Sequence, residues 1–377
     1  MKKNVYLKRT VGIVSIILAL VLCTLAVQNL FFSNRDANSM RVQGFYLEEK
    51  DSLDVVFLGA SDVFAGYSAA LAYEDYGYTS YPFVIDSSSV TLWKSQLKEI
   101  YSRQSPQMIV IEINGVLYED EKDIFKDAGV RYYVENMPLT ANKIETISSL
   151  QLEDDVPSYY FPIIKYHSNW NNPEFMQRSF ENLKYLGEGP SKLKGFFSYS
   201  KYETDNKLIK INDPYKCSAL NEIAEKYLIE FLDYCKENKI DNIVFTRFPH
   251  RITTEGSLDR YYRCNEAEKI IKEYGFDFLN YERDNSDIGI DFDSDFYNDD
   301  HLNVTGAVKM TNYLGKVLTD FYGIKGSALS NNNTKNWEKS SAYVKRFVKY
   351  VEQCHNDNIE KWLSESPELI SILDTFG

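Results

Sequence analysis

The most informative segment of this sequence is Leu53-Asp54-Val55-Val56-Phe57-Leu58-Gly59-Ala60-Ser61-Asp62. Its continuous apolar run predicts a buried β-strand, and the small residues that follow predict a tight turn from that strand into a helix. A serine on such a turn exposes its hydroxyl and lies close to backbone N–H groups that can stabilise an oxyanion. The alternative is a serine that only caps the helix. Ser61 is therefore the first candidate nucleophile.

Similar apolar runs alternate with helical patterns along the rest of the chain. This alternation predicts an α/β domain with a parallel sheet. Catalytic side chains in such a domain are expected at the carboxyl ends of the strands. The further predicted strands are 83–85, 108–113, 242–246 and 276–279, and the predicted helices are 93–102, 219–235, 265–272 and one that begins near Thr305.

The domain predicted in this way covers residues 50–322 and contains a long segment, 118–212, that lacks regular alternation. This segment separates the third and fourth predicted strands and is rich in Tyr, Phe, Asn and Lys. Insertions of this length in compact domains are usually functional, so it is expected to form a cap or a substrate-binding layer. Residues 323–377 are predicted to form a polar linker (330–334) and a helical tail, with helical patterning over 341–351.

The amino terminus has the pattern of a membrane anchor. Residues 1–10 form a basic end, and residues 11–32 form an uncharged apolar stretch long enough to cross a bilayer. Because positive residues stay in the cytoplasm, the domain is expected outside the cell, held in the cell membrane by a single pass. Two alternatives are a signal peptide cleaved at Thr24-Leu25-Ala26 and a lipoprotein site at Cys23. The apolar run is too long for a usual signal peptide and Leu22 is too bulky for a lipoprotein site, so an uncleaved anchor is predicted.

Composition and charge exclude several classes of protein. The chain has 377 residues, 44% hydrophobic and 15% aromatic, which is too apolar for an intrinsically disordered protein. With 42 basic and 55 acidic residues the formal charge is −13; without the four basic residues of the amino terminus it is about −17. Such a domain is a poor partner for nucleic acid. The sequence shows no phosphate loop, metal-ligand spacing or disulfide pattern, so no metal, cofactor or disulfide is expected.

A second candidate group lies shortly before the last predicted helix. The loop Tyr297-Asn298-Asp299-Asp300-His301-Leu302-Asn303 is polar and acid-flanked, a setting in which an imidazole can be oriented and can act as a general base. The other histidines, His167, His250 and His355, lack this setting. A surface histidine without a function is the alternative for His301. The serine turn and this loop together are more specific than either alone.

These segments resemble those of a known family. The Gly59-Ala60-Ser61-Asp62 turn and the His301-Leu302-Asn303 segment with Gly306-Ala307 are similar to SGNH/GDSL-type hydrolases. The chain resembles more closely the membrane-anchored SGNH-like proteins of Gram-positive bacteria, relatives of DltD, which acts in teichoic acid D-alanylation. The resemblance extends from the anchor to about Tyr322 and implies a three-layer, flavodoxin-like parallel sheet. Further similar pieces are 136–140 with Lys143, 166–170 and 194–196.

The resemblance implies roles for individual residues. Ser61 corresponds to the nucleophile and His301 to its base. The family's acid stands three residues before the histidine, where this chain has Asn298. Asn298 and Asp299 are equal candidates for the group that orients His301, and a Ser–His dyad is the remaining alternative. An Asn can orient an imidazole but cannot stabilise the imidazolium by charge, so slow turnover is expected if that charge is lost.

The implied oxyanion hole uses the backbone N–H of Ser61, a second N–H from the loop around Ser87, and the side-chain amide of Asn114. The family carries a Gly in the second loop, where this chain has serines. Asn114 followed by Gly115 is also a strong turn signal, so a purely structural Asn114 stays open.

The long segment adds candidates for substrate binding. Tyr166, His167 and Trp170 are suited to stack on a sugar or to line an acyl channel, with plain packing as the alternative.

The function implied by the resemblance is a serine acyltransferase or esterase. It would act through an acyl-serine on O-acyl groups of a cell-envelope polysaccharide or teichoic-acid-like polymer. By analogy alone, its partner is a polytopic membrane O-acyltransferase that delivers the acyl group. A catalytically inactive binding or scaffold protein beside that acyltransferase is the alternative, and a secreted lipase is a third interpretation.

Overall fold

The structure, a computed structural model, describes residues 2–31, 36–182, 189–200, 206–357, 359 and 362–363. The last residue of the predicted anchor and the end of the predicted tail, 364–377, lie outside this part of the chain. The chain divides into two compact units. The first unit combines Met1–Asp36 with Leu152–Glu188, and the second combines Ala37–Gln151 with Gly189–Gly377.

The secondary structure of the described residues alternates between helices and short strands. The strands are β1 (Val55–Leu58), β2 (Ser80–Pro82), β3 (Met108–Glu112), β4 (Ser198–Tyr199), β5 (Ile243–Arg247), β6 (Asp277–Asn280) and β7 (Trp362–Leu363). The helices are α1 (Lys2–Phe31), α2 (Ala37–Leu47), α3 (Ser61–Gly66), α4 (Ala69–Tyr76), α5 (Trp93–Arg103), α6 (Glu121–Ile124), α7 (Asp127–Val134), α8 (Ala141–Ser149), α9 (Pro157–Tyr160), α10 (Ile163–Tyr166), α11 (Pro173–Asn182), α12 (Glu222–Glu237), α13 (Glu255–Glu273), α14 (Val304–Lys316) and α15 (Asn331–Asn356).

Five strands of the second unit form one parallel sheet in the order β2-β1-β3-β5-β6. Val56 is paired with Ile109 and Val110 with Val244, so the apolar runs lie side by side across the sheet. All residues of β1 and β5 are buried, as expected of central strands in a parallel sheet. The predicted α/β class with a parallel sheet is confirmed.

The second strand differs from its predicted position. It comprises Ser80–Pro82, whereas the apolar pattern predicted 83–85. The amide of Phe83 still donates to the carbonyl of Phe57 at 2.9 Å, but the pairing ends there. Residues 83–85 are fully buried, so their apolar character reflects burial in the core rather than membership of the strand.

Two helices begin earlier than predicted because their caps lie in polar sequence. Helix α13 starts at Glu255, ahead of the predicted 265, behind a capping box formed by Thr254 and Ser257. Helix α15 starts at Asn331, inside the stretch predicted as a linker. The side chain of Ser330 caps it by accepting from the amide of Asn333.

The first unit contains a helix suited to a membrane. Within α1, the stretch Tyr6–Val27 has a mean hydropathy of 2.7, and none of it is buried against the rest of the protein. It is the one such helix in the described chain, and 22 residues span about 33 Å at 1.5 Å per residue. The prediction of one apolar helix long enough to cross a bilayer is confirmed. Helix α11 packs against α1 within this unit.

The turn between β1 and α3 is the part of the fold that positions the candidate site. Gly59 has φ 137°, a backbone conformation that residues with a side chain rarely adopt. A Cβ atom at this position would lie 2.9 Å from Cβ of Glu112 and 3.0 Å from its carbonyl oxygen. β1 and β3 are neighbours, and the glycine lets the chain leave β1 close against the end of β3.

Candidate active site

Ser61 and His301 meet although they are far apart in the sequence. Ser61 is the first residue of α3, and His301 lies just before α14. The Oγ atom of Ser61 is 2.8 Å from Nε2 of His301. The His301 loop is tied back by a bridge between Phe296 and Leu302, and Asn303 caps α14 by accepting from two backbone amides. The pair therefore lies where the chain leaves the carboxyl end of β1 and where it enters α14.

Asn298 orients the imidazole of His301. Its Oδ1 atom accepts from the backbone amides of His301 at 2.8 Å and Asp300 at 3.0 Å, and lies 3.0 Å from Nδ1 of His301. An oxygen that already accepts from two amides requires a donor at Nδ1, so the ring carries its proton there. Nε2 is then free of its proton and can accept the hydrogen of the Ser61 hydroxyl.

Asp299, the other candidate partner of His301, is directed elsewhere. Its carboxylate accepts from Thr253 Oγ1 at 2.7 Å, from Asn206 Nδ2 at 2.8 Å and from Arg251 Nε at 3.3 Å. The structure thus places Asn298, and not Asp299, on the imidazole.

The surroundings of His301 keep it neutral. Burial lowers the pKa of His301 below its usual value of 6.5, against the opposing effect of the carboxylates of Asp62 and Asp300. A neutral imidazole at neutral pH is the form that a general base requires.

The two loops predicted to supply oxyanion donors lie against each other. Ser87 has φ 53°, a left-handed conformation that favours glycine, which fits the Gly that the resembling family carries in this loop. Its hydroxyl accepts from Nζ of Lys126 at 2.9 Å. A Cβ atom on Gly115 would lie 2.4 Å from the carbonyl oxygen of Ser88, so the glycine after Asn114 permits this close approach.

A hydrogen bond from Arg247 fixes the orientation of the side-chain amide of Asn114. Arg247 donates from NH1 to Oδ1 of Asn114 at 3.1 Å, and the backbone amide of Asn114 donates to Glu112 at 2.9 Å. Because a guanidinium only donates, the atom that faces it must be the amide oxygen. The side-chain NH2 group of Asn114 takes no part in this contact with Arg247.

The predicted substrate-binding residues belong to the first unit. Tyr166 ends α10, and His167 and Trp170 lie in the 3₁₀ turn His167–Asn171 that follows. His167 is tied to the carbonyl of Ile164 through Nδ1 at 2.8 Å, and Trp170 is 59% exposed. Their role in substrate binding stays a prediction.

A buried network of charged residues beside Ser61 was missed by the sequence analysis. His250 Nε2 lies 2.5 Å from Oδ1 of Asp62, the residue after Ser61. Arg247 contacts Glu112 at 3.1 Å and Glu282 at 3.2 Å. All five side chains are buried. The sequence does carry one sign of this network, because Glu112 and Arg247 are charged residues at the ends of mainly apolar strands. His250 is far from Asp62 and Glu282 in the sequence and contacts them only in the folded chain.

An aromatic wall next to His301 was also missed. The rings of Tyr199 and Tyr297 are stacked with centroids 3.9 Å apart, and the Tyr199 ring lies 5.7 Å from that of His301. Burial raises the pKa of Tyr199 to about 12, so it stays a neutral phenol. Tyr199 comes from the short strand β4, whose sequence carries no motif.

The described residues hold no group of three or more His, Cys, Asp or Glu side chains arranged to bind a metal ion. The five cysteines are unpaired; Cys23 and Cys217 are exposed, and Cys235, Cys264 and Cys354 are buried.

The sequence was also compared with known protein families and with curated proteins. No family model matches the chain, and no curated protein matches it.

Proposed function

We propose that this chain is a membrane-anchored, extracytoplasmic serine acyltransferase or esterase of the SGNH-like type, acting on O-acyl groups of a cell-envelope polymer. The observation that carries the proposal is the chain of contacts from Ser61 through His301 to Asn298 at the carboxyl end of a parallel strand. A hydroxyl, a neutral base and a group that orients the base are what acyl transfer to a serine requires.

The fold supports this proposal. Counting only the strands of the large sheet, the order is 2-1-3-4-5, which is the order of flavodoxin-like sheets. The proposal includes the three-layer arrangement and residues 118–212 as an insertion between the third and fourth strands of that sheet. In its described parts, 118–182, 189–200 and 206–212, this segment carries short helices rather than strands of the large sheet.

The proposed reaction uses His301 twice. Nε2 takes the proton of Ser61 as Oγ attacks the acyl carbonyl, and the resulting oxyanion is stabilised by the backbone N–H of Ser61, the loop of Ser87 and the amide of Asn114. His301 then protonates the departing alcohol, which leaves an acyl-serine. A sugar or polyol hydroxyl, or water, loses its proton to His301 and attacks the acyl-serine. His301 then returns that proton to Oγ of Ser61 as it leaves, which regenerates the free serine and the neutral base.

The location and partners follow from the anchor and from the resemblance. α1 would hold the domain at the outer face of the membrane, with the basic end in the cytoplasm. There the domain would meet the envelope polymer and a polytopic O-acyltransferase that supplies acyl groups. The charge of about −17 on the domain disfavours nucleic acid as a partner.

A second candidate function is that of an inactive binding or scaffold protein. The observation that favours it is Asn298, a neutral residue where the resembling family has an acid.

Labelling of Ser61 distinguishes the two candidates. The full-length protein in detergent, treated with a fluorophosphonate, is expected to be labelled once, at Ser61, and to hydrolyse p-nitrophenyl acetate slowly. Ser61→Ala and His301→Ala should abolish both signals, whereas Ser102→Ala, on the exposed side of α5, should change neither. A wild-type protein that shows neither labelling nor hydrolysis above Ser61→Ala would support the scaffold and end the enzyme proposal.

A further inference from the structure

The residue after the nucleophile is an unusual carboxylate. Asp62 is only 4% exposed although it lies in the first turn of α3. Its Oδ1 atom contacts His250 at 2.5 Å, while Oδ2 accepts no hydrogen bond from the described residues. A buried carboxylate is expensive to keep ionised unless a positive group compensates it. Asp62 can therefore stay ionised only if the group that contacts Oδ1 is positively charged.

His250 is that positive group. Its Nε2 faces the carboxylate of Asp62, and its Nδ1 lies 2.7 Å from the carbonyl of Phe248 and 3.1 Å from Oε1 of Glu282. Each ring nitrogen thus faces an oxygen acceptor, and both nitrogens donate only in the protonated imidazole. Burial and the charge of Arg247 oppose protonation, but the hydrogen bonds to the two carboxylates raise the pKa of His250 to about 9.

The other charged residues of the buried network influence one another's ionisation. Arg247 is shared between Glu112 and Glu282. Burial and the charge of Asp62 raise the pKa of Glu112 to about 7. For Asp62, burial opposes ionisation, but the hydrogen bond and the charge of His250 hold its pKa far below the usual range. Asp62 is thus negatively charged at neutral pH, and it lies one residue from Ser61.

The charges that act most strongly on His301 are those of Asp62, Asp300, His250 and Asp86. Asp62 is the strongest of them and favours the imidazolium, whereas His250 opposes it more weakly. Asp300 is half exposed and paired with Arg260 at 2.8 Å, and Asp86 is exposed, so solvent screens both. Asn298, the group on Nδ1, carries no charge.

We propose that Asp62 supplies the negative charge that Asn298 lacks: it stabilises the His301 imidazolium formed during acyl transfer, and His250 holds Asp62 in place and ionised. This inference rests on the proposed function. Neither Asp62 nor His250 touches the reacting atoms, so both are positioning residues. In this arrangement His301 has a neutral hydrogen-bond partner, Asn298, in its own loop. The negative charge that stabilises its protonated form comes from Asp62, in the turn that carries Ser61.

The test measures the pKa of His301 directly. NMR of the full-length protein in detergent, with labelled histidine, follows the imidazole signals of the four histidines through a pH titration; His301→Gln identifies the signal to be read. In Asp62→Asn this pKa is expected to fall by about half a unit to one unit. Asp300→Asn is the matched control and should shift it less, because that carboxylate is exposed and paired. An equal or larger shift in Asp300→Asn, or none in Asp62→Asn, overturns the proposal.

A second measurement is kinetic and compares variants in which the Asp62–His250 pair is intact with variants in which it is removed. Asn298→Asp in the wild-type background should raise kcat/KM for p-nitrophenyl acetate less than about threefold, because the charge is already present. In Asp62→Asn/His250→Gln, which removes both members of the pair, kcat/KM should fall about tenfold, and Asn298→Asp should recover most of that loss. A gain of a hundredfold from Asn298→Asp alone overturns the proposal. Absence of any turnover would end the proposed function, while the NMR titration would still decide the role of Asp62.

Discussion

At the scale of single residues, the site depends on backbone conformations that the sequence indicates. Gly59, two residues before Ser61, adopts φ 137°, and its missing side chain leaves room for Glu112. The Gly-small-Ser pattern was therefore a reliable sign of the turn. The same local reasoning could not choose between Asn298 and Asp299, because Asn298 has the spacing but no charge, whereas Asp299 has the charge at a different spacing. The choice is made by Arg251, Thr253 and Asn206, which bind the carboxylate of Asp299.

The first prediction concerns this glycine. Gly59→Ala should lower the free energy of unfolding by about 3 kcal/mol or more, because both the backbone conformation and the contact with Glu112 resist a Cβ atom. Gly77 is a matched control, since it has φ 79° but a Cβ atom added there would meet no other atom within 4 Å. Gly77→Ala should cost only about 1 kcal/mol. Urea unfolding followed by circular dichroism gives both values, and equal losses would contradict the role assigned to the close contact.

At the scale of elements, α15 shows that a polar stretch that resembles a linker can form the start of a helix. The residues 330–334 were expected to form a linker, but Ser330 caps α15 and Asn333 is buried within it. The helix packs against α4, and its apolar face joins one core cluster with residues of α14 and the segment before β4. Asn is common at helix starts as well as in linkers, so composition alone could not separate the two.

The second prediction tests whether α15 is part of the core. Phe347 is fully buried, and its ring lies 5.7 Å from that of Phe196 in an edge-to-face contact. Phe347→Ala should destabilise the protein by about 3–5 kcal/mol, through lost burial and the cavity left behind. Lys339→Ala, on the exposed face of the same helix, should change the stability by less than about 0.5 kcal/mol. A thermal or urea unfolding series compares them, and a Phe347→Ala variant as stable as the Lys339→Ala variant would show that α15 is an independent appendage.

At the scale of the whole molecule, the sheet brings together charged residues that are far apart in the sequence. Asp62, Glu112, Arg247 and Glu282 follow or end four different strands, and parallel order brings those strand ends to one edge. Burial there makes their protonation states depend on folding. The stability of the protein should therefore vary with pH in a direction set by these groups.

The third prediction is that stability is greatest in mildly acidic solution. The pKa of His250 rises to about 9 on folding, so its contribution is complete below about pH 6.5 and is lost as the pH rises through 9. Glu112, with a pKa of about 7, adds a loss between about pH 4.5 and 7, because burial disfavours its charged form. The lowered pKa of Asp62 acts in the opposite direction, and its contribution disappears only in strong acid, as the pH falls below about 4.

Urea unfolding of the full-length protein at pH 5, 7 and 9 measures this dependence. We expect a loss of about 3 kcal/mol from His250 alone between pH 6 and 9. His250→Gln should be less stable at pH 5 and should show a flatter dependence above pH 6.5. A wild-type protein that gains stability from pH 5 to 9 would contradict the protonated state assigned to His250.

The features of this protein that depend on local patterns could be predicted from its sequence. Apolar runs and their spacing were sufficient for a parallel α/β domain and for one apolar helix of membrane-spanning length, and small residues around Ser61 marked the turn that carries it. Which groups share the site is known only from the folded chain, in which Asp299 pairs with Arg251 and His250 contacts Asp62. The physical reason is that a strand or a turn is encoded by neighbours in the chain, whereas the partner of a buried charge is whichever residue the sheet order brings to the same edge.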